Sequence, residues 1–423
     1  MLVLAALLAL FQTPAPPDTT GTPAATSPPA GAASARAGGD RGRDGAGAQI
    51  RPRFAPSALY SRDYGVGVGV GVGVRGVAGA GSDLTADVRL QRHRQGAEVT
   101  FRTSAPYARR VSAVVAAGGF TTDRRFYAGL GPAPRGGDAD LTHRSARAEL
   151  GVVYYPLGST ALSLRPSVRL RADRSDGVAE GRGSLAGFDA ASRRAVARAV
   201  GTRTGGSLGL EVGTDLRDRP GRPRRGLLAT AEHRRFLAFD ASDLALAQTS
   251  AAVVGYVPLG DHATAVLHGV GATTRGGDAD DDGQPGAVPF VYLPTLDGGL
   301  ATPFRSNRLV GRDVLAVGAG VRATVADVYG LYGLDVLAMG YLGNAYDDVF
   351  DQFRPAVSFG PDGVVDGDGR AALRPGLGLG LGLVDLAGGR ALLAAQLGLG
   401  PGGVTLATLR VAYDLRDGGP PFR

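Results

Sequence analysis

The sequence predicts an all-β fold, a transmembrane antiparallel up-and-down β-barrel of about 16 strands, and three observations carry that prediction. Segment after segment alternates apolar and polar residues with a period of two, which gives an extended strand one apolar and one polar face. The apolar face is built from Ala, Val and Leu with little aromatic bulk, while the polar face carries charges of both signs. That division suits lipid outside and water inside better than a thick soluble core. Short turns alternate with long polar loops, as they do when strands cross a bilayer up and down.

Composition narrows the class further. The chain has 423 residues, 68 of them glycine, with no cysteine, no tryptophan and no lysine, so all 46 basic residues are arginine. Zero cysteine excludes disulfides and thiolate metal sites. A net charge of +7 raises the question of nucleic acid, but the arginines are interleaved singly with apolar residues, which argues against that partner.

Taken in order, residues 1–20 read as a signal peptide, whose apolar run from Met1 to Phe11 lacks a basic leader. Residues 21–54, rich in Pro, Ala and Gly, bury too little surface to offset ordering entropy and read as a disordered tether. Residues 55–423 form the barrel. No later apolar run is long enough for a helix to span a bilayer, so a membrane location requires a closed barrel.

Strand starts are expected near residues 56, 65, 84, 97, 109, 142, 160, 204, 227, 242, 262, 312, 329, 371, 389 and 403. The run Gly65 to Val77 alternates valine and glycine, for which an elastin-like reading is the competitor. Leu84, Ala86, Val88 and Leu90 oppose Thr85, Asp87, Arg89 and Gln91; Leu162, Leu164, Val168 and Leu170 oppose Ser163, Arg165, Ser167 and Arg169. Short turns fall near residues 79–83, 104–108, 156–159, 258–261, 327–329 and 385–389, and long loops at 121–141, 173–203, 275–311 and 343–370. Aromatics near strand ends (Tyr107, Phe126, Tyr127, Tyr154, Tyr155, Tyr256, Tyr292, Phe304, Tyr413) are placed for an interface girdle.

The most distinctive stretch is Ser207 to Phe236. Leu208, Leu210 and Val212 alternate with Ser207, Gly209, Glu211 and Gly213, then prolines and glycines force a turn before a second strand from Leu227. Asp215, Arg217, Asp218, Pro220, Pro223 and Gly226 fall in the spacing D-x-R-D-x-P-x-x-P-x-x-G. This resembles the periplasmic turn between strands eight and nine of the BamA/TamA family of outer-membrane barrels, the bacterial surface antigens. Residues 104–107 (SAPY) resemble the family's N-P-Y-F turn and residues 125–131 (RFYAGLG) its F-Y-G-x-G loop. Residues 293–299 and 304–312 resemble its long sixth loop, with Phe304, Arg305, Asn307 and Arg308 in the lumen.

Three departures accompany the resemblance. The family's loop arginine, in V/L-R-G-F/Y, is replaced within Ala301-Thr302-Pro303-Phe304. Its partners on strands twelve and thirteen become Gly320-Val321-Arg322 and Ala338-Met339-Gly340. Losing cation and acids together avoids an unpaired charge, and Arg305 or Arg308 pairing with Asp335 is the expected substitute, beside Arg322 among the lumen charges. The chain is expected to be a form without periplasmic POTRA domains, and Phe422 precedes a terminal Arg423 where the family favours an aromatic end.

Other motifs carry less. Asp278, Asp280, Asp282 and Gly283 copy the start of a calcium loop, but Pro289 stands where its glutamate belongs, which favours a hydrated acidic tip; Asp362, Asp366 and Asp368 read alike. The five histidines lack metal spacing, the glycines at 376–382 lack the lysine of a phosphate cradle, and no nucleophile arrangement stands out. An enzyme, a cofactor and a metal are therefore not expected. The lumen charges (Asp87, Arg89, Glu98, Arg102, Arg147, Glu149, Arg165, Arg169 and Glu211) form either a satisfied network or the lining of a conducting pore. The resemblance implies a monomeric barrel in the bacterial outer membrane. Its implied role is protein assembly or translocation, with outer-membrane lipid and unfolded outer-membrane or exported proteins as partners. A passive pore or structural barrel without insertase activity is the alternative.

Overall fold

The computed structural model describes residues 51–77, 82–103, 110–132, 139–219, 222–240, 242–277, 287–296, 304, 308–359, 364–386, 390–400 and 403–411. The expected signal peptide and nearly all of the tether lie outside these residues, as do 104–107, Asp278 to Gly283, Pro220, Arg305, Asn307 and Asp362.

Sixteen strands close into one antiparallel barrel. They are β1 (Arg51–Ser61), β2 (Gly65–Arg75), β3 (Asp83–Gln91), β4 (Arg94–Arg102), β5 (Val111–Tyr127), β6 (Ala139–Tyr154), β7 (Ser163–Gly183) and β8 (Gly201–Asp215). The circuit continues with β9 (Gly226–Ala238), β10 (Ala245–Pro258), β11 (Ala263–Gly277), β12 (Asp313–Val328), β13 (Tyr332–Tyr346), β14 (Ala371–Asp385), β15 (Arg390–Gly400) and β16 (Gly403–Val411). Each pairs with its sequence neighbours, and β16 returns to β1 by matching Leu406–Arg410 against Ser57–Ser61. Every strand starts within five residues of its expected position, and β1 begins at Arg51, ahead of the expected barrel boundary.

The expected short turns lie at one rim and the expected long loops at the other, which also carries the short β1–β2 and β3–β4 connections at residues 62–64 and 92–93. Two loops are shorter than expected, because β5 continues through Tyr127 and β7 through Gly183. Paired strands keep their backbone groups satisfied beyond a bilayer, so their polar residues do not end them. Consequently β7 has 21 residues, whereas β1 and β2 have 11 each and β16 has 9.

Strand alternation sorts the side chains as the sequence demands. Leu208 is 67% exposed on the outer surface, and Val66, Leu90, Leu150, Leu267 and Val317 are exposed with it. A contiguous apolar exterior of this kind is stable against lipid rather than water. The valine–glycine run is β2, not an elastin-like segment: its valines face out and its glycines in. A Cβ on Gly67 would lie 2.2 Å from the Leu90 carbonyl oxygen, so bulk on that inner face is excluded by the backbone of β3.

The inner face divides into three sectors. From β4 to β9 it is charged, with Glu98, Arg147, Glu149, Arg165, Arg169 and Glu232. From β11 to β13 it is apolar, with Val266, Val270, Val314, Ala316, Met339 and Tyr341 buried together. Around the closure, small residues dominate: Gly378 pairs with Gly398 and Gly382 with Ala394, and Gly67 and Gly69 oppose Leu59 and Ser57.

The long-loop mouth is covered by a packed cap. Helix α1 (Ala190–Ala199) starts at Asp189, whose carboxylate accepts from the Ser192 backbone N–H at 2.6 Å. Its Ala195, Val196 and Ala199 pack with Tyr127, Phe188 and the Phe290–Tyr292 turn. Four residues expected at the interface girdle are therefore interior: Tyr127 and Tyr292 lie in the cap, Phe304 lies in the lumen, and Tyr256 packs against the same inner wall. Aromatics at strand ends had two apolar destinations, and a period-of-two pattern does not distinguish lipid from a capped mouth. Tyr154 does face outward, while Tyr107 and Tyr413 fall outside the described residues. Among the described residues no helix is long and apolar enough to cross a membrane.

Candidate functional site: the β8–β9 turn and the docked β11–β12 loop

The motif residues shape the turn between β8 and β9. Arg217 donates from Nε and Nη2 to the two Asp215 carboxylate oxygens at 2.8 and 2.7 Å, which stiffens the exit from β8. Burial opposes the Arg217 charge, but the hydrogen bond and charge of Asp215 outweigh it and raise the guanidinium pKa. Asp218 Oδ1 accepts the backbone N–H groups of Arg219 and Arg224, both at 2.9 Å, and so ties the two halves of the turn. Gly226 has φ +109°, and a Cβ there would sit 2.2 Å from the Leu216 carbonyl oxygen, so only glycine fits. Pro220 lies outside the described residues.

The middle of the turn reaches into the barrel. Arg222 places Nε 2.8 Å from Asp335 Oδ2 and Nη2 2.8 Å from Asp335 Oδ1, a bidentate pair with a carboxylate only 1% exposed. Thr324 Oγ1 donates to the same carboxylate at 2.8 Å. Arg322 Nη2 donates to the carbonyl of Pro223, and Arg224 Nη2 to that of Gly260 in the β10–β11 turn. Arg322 and Asp335 thus do meet at one place, but the cation on Asp335 is Arg222, which the sequence analysis did not single out. The turn's density of arginines was the available signal.

Arg308 is not the substitute partner. It lies close enough to Arg374 for their charges to oppose, and Arg374 pairs with Gly343 on β13. Gly343 is eight residues from Asp335 along that strand, about 26 Å at ~3.3 Å per residue. Arg305 and Asn307 lie outside the described residues.

The β11–β12 loop folds inward and is held by apolar contact. Leu296, Phe304 and Leu309 are buried against the β11–β13 wall, Phe304 with 2% exposure. Residues Thr295–Leu296 and Leu309–Val310 pair as a small hairpin that sets this geometry. A Cβ on Gly343 would come within 3.0 Å of Leu296 Cδ1, so the loop sits directly on the strand. Phe304, which matches the aromatic position of the resembled family's loop motif, is the residue seated there.

The charged sector satisfies itself. Glu149 accepts from Arg165 at 2.5 Å and from Arg169 at 2.6 and 2.8 Å, Arg147 pairs with Glu98, and Arg234 pairs with Glu232. Arg234 also reaches Ser207 and Ser167, each at 3.2 Å. These cross-strand ladders favour the network reading over a bare conducting lining.

One constellation escaped the sequence analysis. Ser175 Oγ lies 2.7 Å from His143 Nδ1, and His143 Nε2 lies 3.5 Å from Asp173 Oδ1. The trio is sealed beneath the cap, with His143 0% exposed, and Asp173 also accepts from the Tyr292 hydroxyl at 3.0 Å. Burial first, and then the Asp173 charge, raises the Tyr292 phenol, so it remains a donor. The arrangement anchors the cap to β6 and β7, and it leaves the serine no room for a substrate. Asp366 is likewise occupied, by Arg354 and the backbone N–H groups of Asp368 and Arg370.

No family model matches this chain, and no curated protein matches it by sequence. Among solved structures it is similar to BamA from Haemophilus ducreyi lacking POTRA domains 1–3, with a TM-score of 0.56, 13% identity, 86% of this chain and 71% of that one. It is also similar to CdiB from Acinetobacter baumannii (TM-score 0.50, 13% identity, 86% and 60%) and to CdiB from Escherichia coli (0.51, 10%, 85% and 63%). The chain spans less than two thirds of either CdiB. At these identities the common property is the fold, a 16-stranded closed barrel of the BamA and CdiB type.

Proposed function

We propose that this chain, a barrel with the fold of BamA and CdiB, resides in a bacterial outer membrane and serves the assembly or translocation of proteins there. The observation that carries the reading is the closure. β1 and β16 meet over Ser57–Ser61 and Leu406–Arg410, a pairing whose two strands no connecting turn holds together. A barrel opens most cheaply at such a seam, because separating it strains no turn. The small residues lining the lumen beside this closure leave an extended polypeptide room to approach it. The docked β11–β12 loop supports a lumen that is plugged at rest. Outer-membrane lipid and unfolded outer-membrane or exported polypeptides are the partners this implies.

Single-channel recording of the refolded barrel in a planar bilayer tests the reading. A mostly closed state with rare, variable openings is expected, together with faster folding of an unfolded barrel client into vesicles that contain it. Large, steady openings without client folding would establish the passive pore instead.

A further inference from the structure

We infer that the β8–β9 turn is a strap that holds the short-turn mouth of the lumen closed, latched by Arg222 on Asp335. A connector between adjacent strands needs only to join them, as residues 259–262 and 329–331 do at the same rim. Arg222 and Pro223 of this turn instead fasten to inward-facing groups of β12 and β13, which lie beyond β9 to β11 in the sheet. The strap is pre-shaped at both ends, by the Arg217–Asp215 pair and by the glycine-only bend at Gly226. On β12 and β13 it is attached by Arg222, on Asp335 and Thr324, and by Arg322 on the Pro223 carbonyl, while Arg224 holds the Gly260 carbonyl of the β10–β11 turn.

This geometry has two stable states rather than a continuum. Asp335 is buried when latched, and a buried carboxylate without its cation is strongly disfavoured. Release of Arg222 is therefore coupled to water entering the mouth to solvate Asp335. Closed means latched and dry; open means unlatched and hydrated. The inference concerns the barrel alone and does not depend on its having protein clients.

The absence of native cysteine makes the test direct. In an Arg222→Cys/Asp335→Cys protein, the two thiols are bridged with a reducible bis-methanethiosulfonate reagent, and conductance is recorded before and after reduction in one folded population. Reduction is expected to raise mean conductance roughly twofold or more. Equal conductance in the bridged and reduced states overturns the gate. In a second series, Arg222→Asp should raise conductance and the exchange Arg222→Asp/Asp335→Arg should return it to the parent level. Failure of the exchange to restore closure, in protein that retains the heat-modifiable gel mobility of a folded barrel, overturns the ionic latch.

Discussion

The two long walls of this lumen, charged from β4 to β9 and apolar from β11 to β13, solve the same problem by different physics. On the charged wall, acids and arginines supply one another's counter-charge, mostly from different strands, as Glu149 does for Arg165 and Arg169. Such a wall is complete without a partner and stays compatible with water. The apolar wall cannot be left wet, and the chain covers it with its own β11–β12 loop through Leu296, Phe304 and Leu309. The lesson is that the described part of the plug, Leu296, Phe304 and Leu309, is seated by burial.

Substitutions on each wall break or sharpen that contrast. Phe304→Ala should have the largest effect, destabilising by about 3–5 kcal/mol and exposing the loop to protease, because a large buried ring leaves a cavity. Thermal unfolding in detergent and limited proteolysis report the two effects; an unchanged digestion pattern would mean that the loop is held elsewhere. Glu149→Gln comes next, at about 2 kcal/mol, since it removes the carboxylate that lies between Arg165 and Arg169 and leaves Arg165 only its longer pair with Glu211. It should leave the loop protected, which separates the two walls. Arg147→Gln should cost about 1 kcal/mol or less, because Arg147 and Glu98 are each roughly one-quarter exposed. Smallest of all is salt. Raising ionic strength to about 1 M, where the screening length is ~3 Å, should narrow the Arg147 deficit and leave the Phe304 deficit unchanged. A salt-sensitive Phe304→Ala protein would contradict burial as the lock.

Most of the scaffold was legible because its determinants are local. The two-residue period placed Leu208, Leu210 and Val212 outward and Ser207 inward, and glycine and proline marked turns such as those at 156–158, 220–226 and 258–260. The Arg222–Asp335 pair was not legible, although both residues are plain in the sequence. They are 113 positions apart, and only closure of the barrel carries the β8–β9 turn past three strands to β13. The same reason explains Tyr127 and Tyr292, which the pattern marks as apolar-facing but which meet each other's neighbours in a cap assembled from distant loops. Ser175, His143 and Asp173 were missed for want of a fixed spacing: β6 and β7 bring them together by register.

The unequal strand lengths give the molecule a tall side and a low side. About 10 tilted residues cross a bilayer, so roughly half of β7 stands above the lipid, while β1, β2 and β16 end close to its surface. The rim is therefore slanted like the lip of a jug, with its lowest point at the closure between the first and last strands. At that lip the barrel wall stands lowest over the membrane surface.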